Sequence, residues 1–218
     1  MSRREATPHY PGYDVLAKRN TLSWNEATRR VIDRRLAMPR TPRFFSEAEW
    51  RTLSALCHRI LPQPTDRPPV PLPAFLDAKL HHDTRDGYRY ATLPPQREAW
   101  RIGLKALEAD AQATHQRAFT ALQAAEQDAL LRRMESGALQ GPEWEGMPSG
   151  DFFKHRVVPD ITSSYYAHPI AWSEIGFGGP AGPRGYVRLR LDRRDPWEAV
   201  EAESGADEKV RRANSRVR

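Results

Sequence analysis

A single cysteine, Cys57, stands in a chain of 218 residues. One thiol cannot close an intrachain disulfide or supply a CxxCH haem attachment, and an iron–sulfur cluster needs several thiolates. Cys57 falls on the apolar side of a helical pattern, where a small buried thiol is expected rather than a nucleophile. No apolar run approaches the roughly 20 residues that a membrane-spanning helix needs. Arg3-Arg4 is the nearest approach to an export address, but Glu5, Pro8, His9 and Pro11 follow it in place of an apolar region. The expectation is a protein without direct membrane insertion. It is cytoplasmic by the absence of a signal, or periplasmic if exported together with a partner. Also missing are a Walker loop, a dinucleotide GxGxxG after a strand, and an HExxH. Gly176, Gly178, Gly179, Gly182 and Gly185 lie close together, yet Pro180 and Pro183 interrupt them and no phosphate-facing helix clearly follows. No cofactor, metal or catalytic residue is therefore expected in this chain.

Apolar residues are scarce as well. They make up 39%, and the mean hydropathy is −0.74, on the polar side for a compact globule. Such a deficit is made good by tails or by a surface that a partner completes. The nineteen prolines point to helices joined by rigid connectors, since proline cannot donate to a β-ladder. The formal charge of +6 raises nucleic acid as a partner. Acids interrupt the arginines, however, as in Asp33-Arg34-Arg35 and Asp192-Arg193-Arg194-Asp195, and no RNP-like, helix-turn-helix or zinc-finger signature accompanies them. A solvated, arginine-rich surface without nucleic-acid binding is the expectation. A basic nucleic-acid adaptor is the alternative, and it would show salt-sensitive retention on DNA or RNA.

The periodicity predicts an all-α fold in a single irregular helical domain. Residues 1–42 read as an extension with one or two helices, 43–191 as the helical domain, and 192–218 as a charged, disordered tail. A short helix follows Asp14, and Ser23 and Glu26 read as a capping box for a helix to about Ala37. That helix places Ala27, Val31 and Ile32 on one face. Ser46 and Glu49 form a second box, with Phe45 and Trp50 placed as a hydrophobic staple. Trp50, Leu53, Leu56, Cys57 and Ile60 then commit this helix to a core. Pro73 suits the first turn of the next helix, and Pro94-Pro95 opens the long pattern of Trp100, Leu104, Leu107 and Ala111. A helix with Leu130, Leu131 and Met134 stops at Gly137. Another begins near Ser149 or Asp151 with Phe152, Phe153 and Val157 inward, and Pro159 must interrupt or restart it. Residues 167–186 read as loop, and Val187–Leu191 alternates like a lone strand.

Two groups of residues invite a chemical reading. His81-His82-Asp83, with Asp77 or Asp86, could ligate a metal, but adjacent helical histidines point about 100° apart. Surface histidine is the simpler reading. The second group is Ser164-Tyr165-Tyr166-Ala167-His168-Pro169 with Glu174-Ile175-Gly176-Phe177-Gly178-Gly179-Pro180 and Gly185-Tyr186. Rings, glycines and prolines alternate there without a clear period. The segment either folds over its own helices or is shaped to dock on another protein. His168, pushed extended by Pro169, either caps its own helix or hydrogen-bonds a partner.

The chain resembles the gluconate 2-dehydrogenase subunit 3 family from about Phe44 to about Val187. The resemblance is carried by Phe45-Ser46-Glu47-Ala48-Glu49-Trp50, Arg59-Ile60-Leu61-Pro62 and Pro73-Ala74-Phe75-Leu76-Asp77. Leu130-Leu131, Asp151-Phe152-Phe153 and the Tyr-Tyr/His-Pro and Gly-Gly-Pro region complete it. In that family the chemistry belongs to a large glucose-methanol-choline-type subunit that holds FAD, and a cytochrome subunit usually takes the electrons onward. The small subunit stabilises the flavoprotein, and in many members carries a twin-arginine signal. This chain departs from the pattern where Tyr10-Pro11-Gly12-Tyr13 and the helix to Ala37 occupy the leader's place. The resemblance implies a non-catalytic accessory subunit of an FAD-dependent sugar or polyol dehydrogenase. The partner-binding residues it points to are Tyr165, Tyr166, His168, Pro169, Trp172, Gly176, Phe177, Gly179, Pro180, Arg184 and Tyr186. A small metal-dependent enzyme using His81, His82 and carboxylates is the alternative from another class.

Overall fold

The computed structural model describes residues 9–65, 67–88, 90–180 and 195–217. Among these the regular elements are helical and no strand is present. The helices are α1 Glu26–Leu36, α2 Glu47–Ile60, α3 Leu72–His81, α4 Gln96–His115 and α5 Ala124–Glu135. They continue as α6 Ser149–Phe152, α7 Val158–Tyr166, α8 Pro169–Glu174 and α9 Asp207–Asn214. The chain forms two compact units: Met38–Tyr165, and Met1–Ala37 together with Tyr166–Arg218. Residues 187–191, read as a strand, lie outside the described residues.

In the unit Met38–Tyr165, α4 is the central helix and packs against α2, α5 and α6. Its apolar residues Trp100, Leu104, Leu107 and Ala111 are buried, as their spacing predicts. Leu53 and Leu56 of α2, Leu76 and Leu80 of α3, and Leu130 and Met134 of α5 are buried as well, with α3 packed on α2, in a core that water does not reach. Trp100 takes the edges of Phe45 and Phe152 at ring distances of 6.5 and 5.3 Å. Gly103 makes the second contact feasible, because a β-carbon there would lie 2.3 Å from the Phe152 ring.

The Ser46 capping box forms as read, with the serine hydroxyl accepting from the Glu49 amide and the Glu49 carboxylate from the Ser46 amide. Trp50 differs from its expectation. It is half-buried, on the wall of an open cleft with Ser54, His58 and Pro71. Phe45 turns instead to Trp100, so the staple pairing is not what fixes the start of α2. Burial pushes the Cys57 thiol up, as suits an inert core thiol.

Pro159 is accommodated by a change of helix type. One π-helical turn, Phe153–Val157, joins α6 to α7, and Pro159 falls at the second residue of α7. The backbone stays helical through the joint, and the π turn contains His155, the residue four before Pro159 whose carbonyl the missing proline N–H cannot reach. Phe153, expected to point inward with Phe152, is only half-buried.

The other unit has its own core of Tyr13, Val15, Trp24, Ile32, Trp172 and Val217. A short 3-10 helix follows Asp14 as read, Val15–Lys18. Helix α1 is capped by Asn25, whose side chain accepts from the Thr28 amide, and not by Ser23. That shift brings Thr28 and Ile32 inward and leaves Ala27 exposed. The tail expected to be disordered is ordered over 195–217 and contains α9. Its charge made it read as solvated, but Val210, Asn214 and Val217 recur at helical spacing and are buried. Asn214 donates to the carbonyls of Pro11 and Val200, both at 2.9 Å, and accepts from the Val200 amide at 2.6 Å. Three satisfied bonds on one buried amide hold the tail in place.

Candidate functional site

The aromatic segment expected as loop over 167–186 is instead helical at Pro169–Glu174. Proline is the reason at both ends of the joint. Pro169 forbids the helical conformation at His168, which adopts φ −93° and ψ 136°, and then serves as the first residue of α8. His168 is buried, and its Nδ1 accepts from the Ile170 amide at 3.3 Å. The imidazole thus caps α8. Pro169 is buried beside it.

Trp172 is the centre of the arrangement. Its indole is buried in the unit's core, and its Nε1 donates to the Tyr166 carbonyl at 2.6 Å. Phe177 meets the indole edge-on at 5.4 Å and 85°. The Arg35 guanidinium lies 5.5 Å from the ring centre on α1 and donates to the Ala167 carbonyl at 3.0 Å. Two glycines shape the exit. Gly176 has φ +67°, and a β-carbon there would strike the Tyr10 ring at 2.6 Å. Gly179 has φ +73°, a conformation that L side chains rarely adopt, and a β-carbon there would fit tightly against Trp24 at 3.0 Å and Trp172 at 3.2 Å. Pro180 follows, half-buried.

The sequence-predicted residues are therefore sorted by depth. Tyr165 belongs to the Met38–Tyr165 unit, where it is buried and its hydroxyl accepts from Arg67 at 3.1 Å. His168, Pro169 and Trp172 are buried in the other unit. Tyr166 and Phe177 face outward, 47% and 39% exposed. Arg184 and Tyr186 lie outside the described residues. In the same unit the structure exposes two apolar side chains that the sequence reading did not single out, Ile175 at 47% and Leu36 at 40% exposure. Leu36 sits at the end of an arginine-rich helix, and Ile175 precedes a glycine. Neither position has a periodic signal that would mark it as exposed.

The metal-ligand reading meets a different geometry. The His81 and His82 rings sit edge to face, 5.1 Å apart. Asp77 accepts three backbone amides, and Asp86 binds Lys79 and Arg156. Among the described residues no three or more His, Cys, Asp or Glu stand together as a metal ion's ligands would. No helix among them is long and apolar enough to cross a membrane.

An all-helical protein with a rigid indole platform under outward-facing apolar side chains is the class that these features define. The family model described as gluconate 2-dehydrogenase subunit 3 matches residues 47–179, more than half of the chain, and the chain belongs to that family. The family is a subunit of a dehydrogenase complex. Searches of curated proteins and of solved structures gave no match.

Proposed function

We propose that this chain is the non-catalytic small subunit that binds and stabilises, and helps to mature, an FAD-dependent sugar or polyol dehydrogenase of the glucose-methanol-choline type. FAD belongs to that partner, and a cytochrome subunit is a further member of the complex. The observation that carries the reading is that Tyr166 and Phe177 face outward beside the buried Trp172, which bonds the one's carbonyl and meets the other's ring, within the family-matched span. Aromatic anchors on a rigid base lose little conformational entropy on docking, and truncating one at an interface centre commonly costs about 2 kcal/mol or more.

Phe177→Ala and Tyr166→Ala are expected to weaken co-purification of the co-expressed dehydrogenase subunit by roughly 30-fold each in affinity. The helical circular dichroism and melting temperature of the free variants should stay close to the parent's, since Trp172 remains in the core. Parent-like co-purification by both variants would sink the assignment of these rings to the interface.

The chain expressed alone is expected to be colourless between about 350 and 600 nm, the rough range of flavin and haem absorption. Stoichiometric flavin on the isolated chain would overturn the non-catalytic reading and favour an enzyme.

A further inference from the structure

Among the described residues, Arg35 carries a charge that no carboxylate balances. It is half-buried on the last turn of α1, with its guanidinium carbon 5.5 Å from the Trp172 ring centre, and its hydrogen bond goes to the neutral Ala167 carbonyl. Arg19, Arg59, Arg101 and Arg156 each reach a carboxylate within 4 Å. Among the described residues no carboxylate does so for Arg35. Burial pulls its guanidinium pKa down. A guanidinium that gives one N–H to a carbonyl still has other N–H groups in a planar fork, the geometry that a carboxylate accepts in two parallel bonds. Leu36, Ile175 and Phe177 are exposed in the same unit, and Phe177 shares the Trp172 platform with Arg35.

We propose that Arg35 receives a carboxylate of the dehydrogenase subunit, set in an apolar recess that closes over Leu36, Ile175 and Phe177. This rests on the docking reading above and adds the chemistry of the partner's surface. Charge complementarity selects the occupant, because a wholly apolar partner would bury the cation further without compensation. Arg35 and Leu36 precede the family-matched residues 47–179. The charged contact therefore comes from the preceding segment and the ring contact from the family region.

The test uses the full chain and the co-expressed dehydrogenase subunit. Affinity is measured at low and high salt for the parent, Arg35→Gln, Arg35→Lys and Phe177→Ala, with melting of each free chain. Arg35→Gln is expected to weaken binding by roughly 30-fold or more and to flatten its salt dependence. Arg35→Lys keeps the charge without the fork and should fall between. The free Arg35→Gln chain should melt at the parent's temperature or above it, because an uncompensated charge has been removed. Parent-like affinity of Arg35→Gln with a weakened Phe177→Ala would overturn the carboxylate contact and leave the docking reading standing. Loss of stability in free Arg35→Gln without loss of affinity would overturn it as well, assigning Arg35 to internal packing. A parent chain that binds no dehydrogenase subunit would overturn both readings. An Arg35-dependent homodimer in sedimentation would overturn the proposal by naming a second copy as the occupant.

Discussion

Asp160→Ala is expected to destabilise the Met38–Tyr165 unit by about 3–5 kcal/mol, the range for removing one partner of a buried ion pair. The Asp160 side chain on α7 is 4% exposed. It accepts from Trp100 Nε1 at 2.8 Å, Lys79 Nζ at 2.9 Å and Gln96 Nε2 at 3.2 Å, with Arg156 3.9 Å away. Three helices, α3, α4 and α7, thus converge on one carboxylate. Without it, the buried Trp100 N–H loses its acceptor and Lys79 and Arg156 keep only Asp86 between them. Asp160→Asn keeps an acceptor oxygen and should cost less. Urea unfolding of both variants is the measurement. A loss under about 1 kcal/mol for alanine would mean that the network adds no more than a surface pair.

The same network sets a pH window. Burial alone would raise the Asp86 pKa, but hydrogen bonds and charge from Lys79 and Arg156 outweigh it and hold the carboxyl below its ordinary value. A depressed carboxylate contributes stability above its unfolded pKa of about 3.9 and loses it as pH falls through the folded value. Burial likewise would lower Lys79, yet Asp86 and Asp160 raise it. Its contribution is complete below about 10.4 and is lost as pH rises through the folded value. Stability is therefore expected to be flat with respect to this network between those limits, and Asp86→Asn should weaken the acid-side loss.

Asp77→Ala is the second large effect, on the order of 3–5 kcal/mol, with buried unsatisfied donors at about 1–3 kcal/mol each. Asp77 belongs to α3 but serves the approach to α2. Its Oδ1 accepts the amides of Phe44 and Phe45 at 2.9 and 3.0 Å, and Oδ2 that of Arg43 at 2.9 Å. The residue is 1% exposed, so water cannot replace the carboxylate at Phe44 and Phe45. Asp77→Asn retains one acceptor oxygen and should lose roughly half as much. Hydrogen exchange at the Phe44 and Phe45 amides should quicken in the alanine variant. Unchanged protection there would show that these bonds do not fix the segment.

Neither carboxylate was legible in advance as a structural anchor. In the sequence alone Asp77 reads as a candidate metal ligand, because only its neighbours His81 and His82 give it a context. Its true partners lie 32 to 34 residues earlier. Trp100, by contrast, was placed correctly, because burial of a helix face is written in a spacing of three and four residues. Ser46 was placed correctly for the same local reason: a capping box is complete within four residues. Ser23 was misplaced because Asn25, two residues on, is an equally good cap and wins the Thr28 amide.

The sequence by itself determined the all-α class, the order of the central helices, an irregularity near Pro159 and the family, since periodicity, caps and prolines are local properties. Tertiary structure alone decided which rings of the 164–180 segment lie inside. Trp172 is buried because Trp24, Ile32 and Val217, distant in sequence, close over it, while Tyr166 and Phe177 are turned outward by Pro169 and by Gly176. It also decided that the charged tail is ordered over 195–217 and that Arg35 lies over the Trp172 ring with no carboxylate among the described residues within 4 Å. These outcomes depend on contacts across long sequence separations, and such contacts leave no trace in the spacing of neighbouring residues.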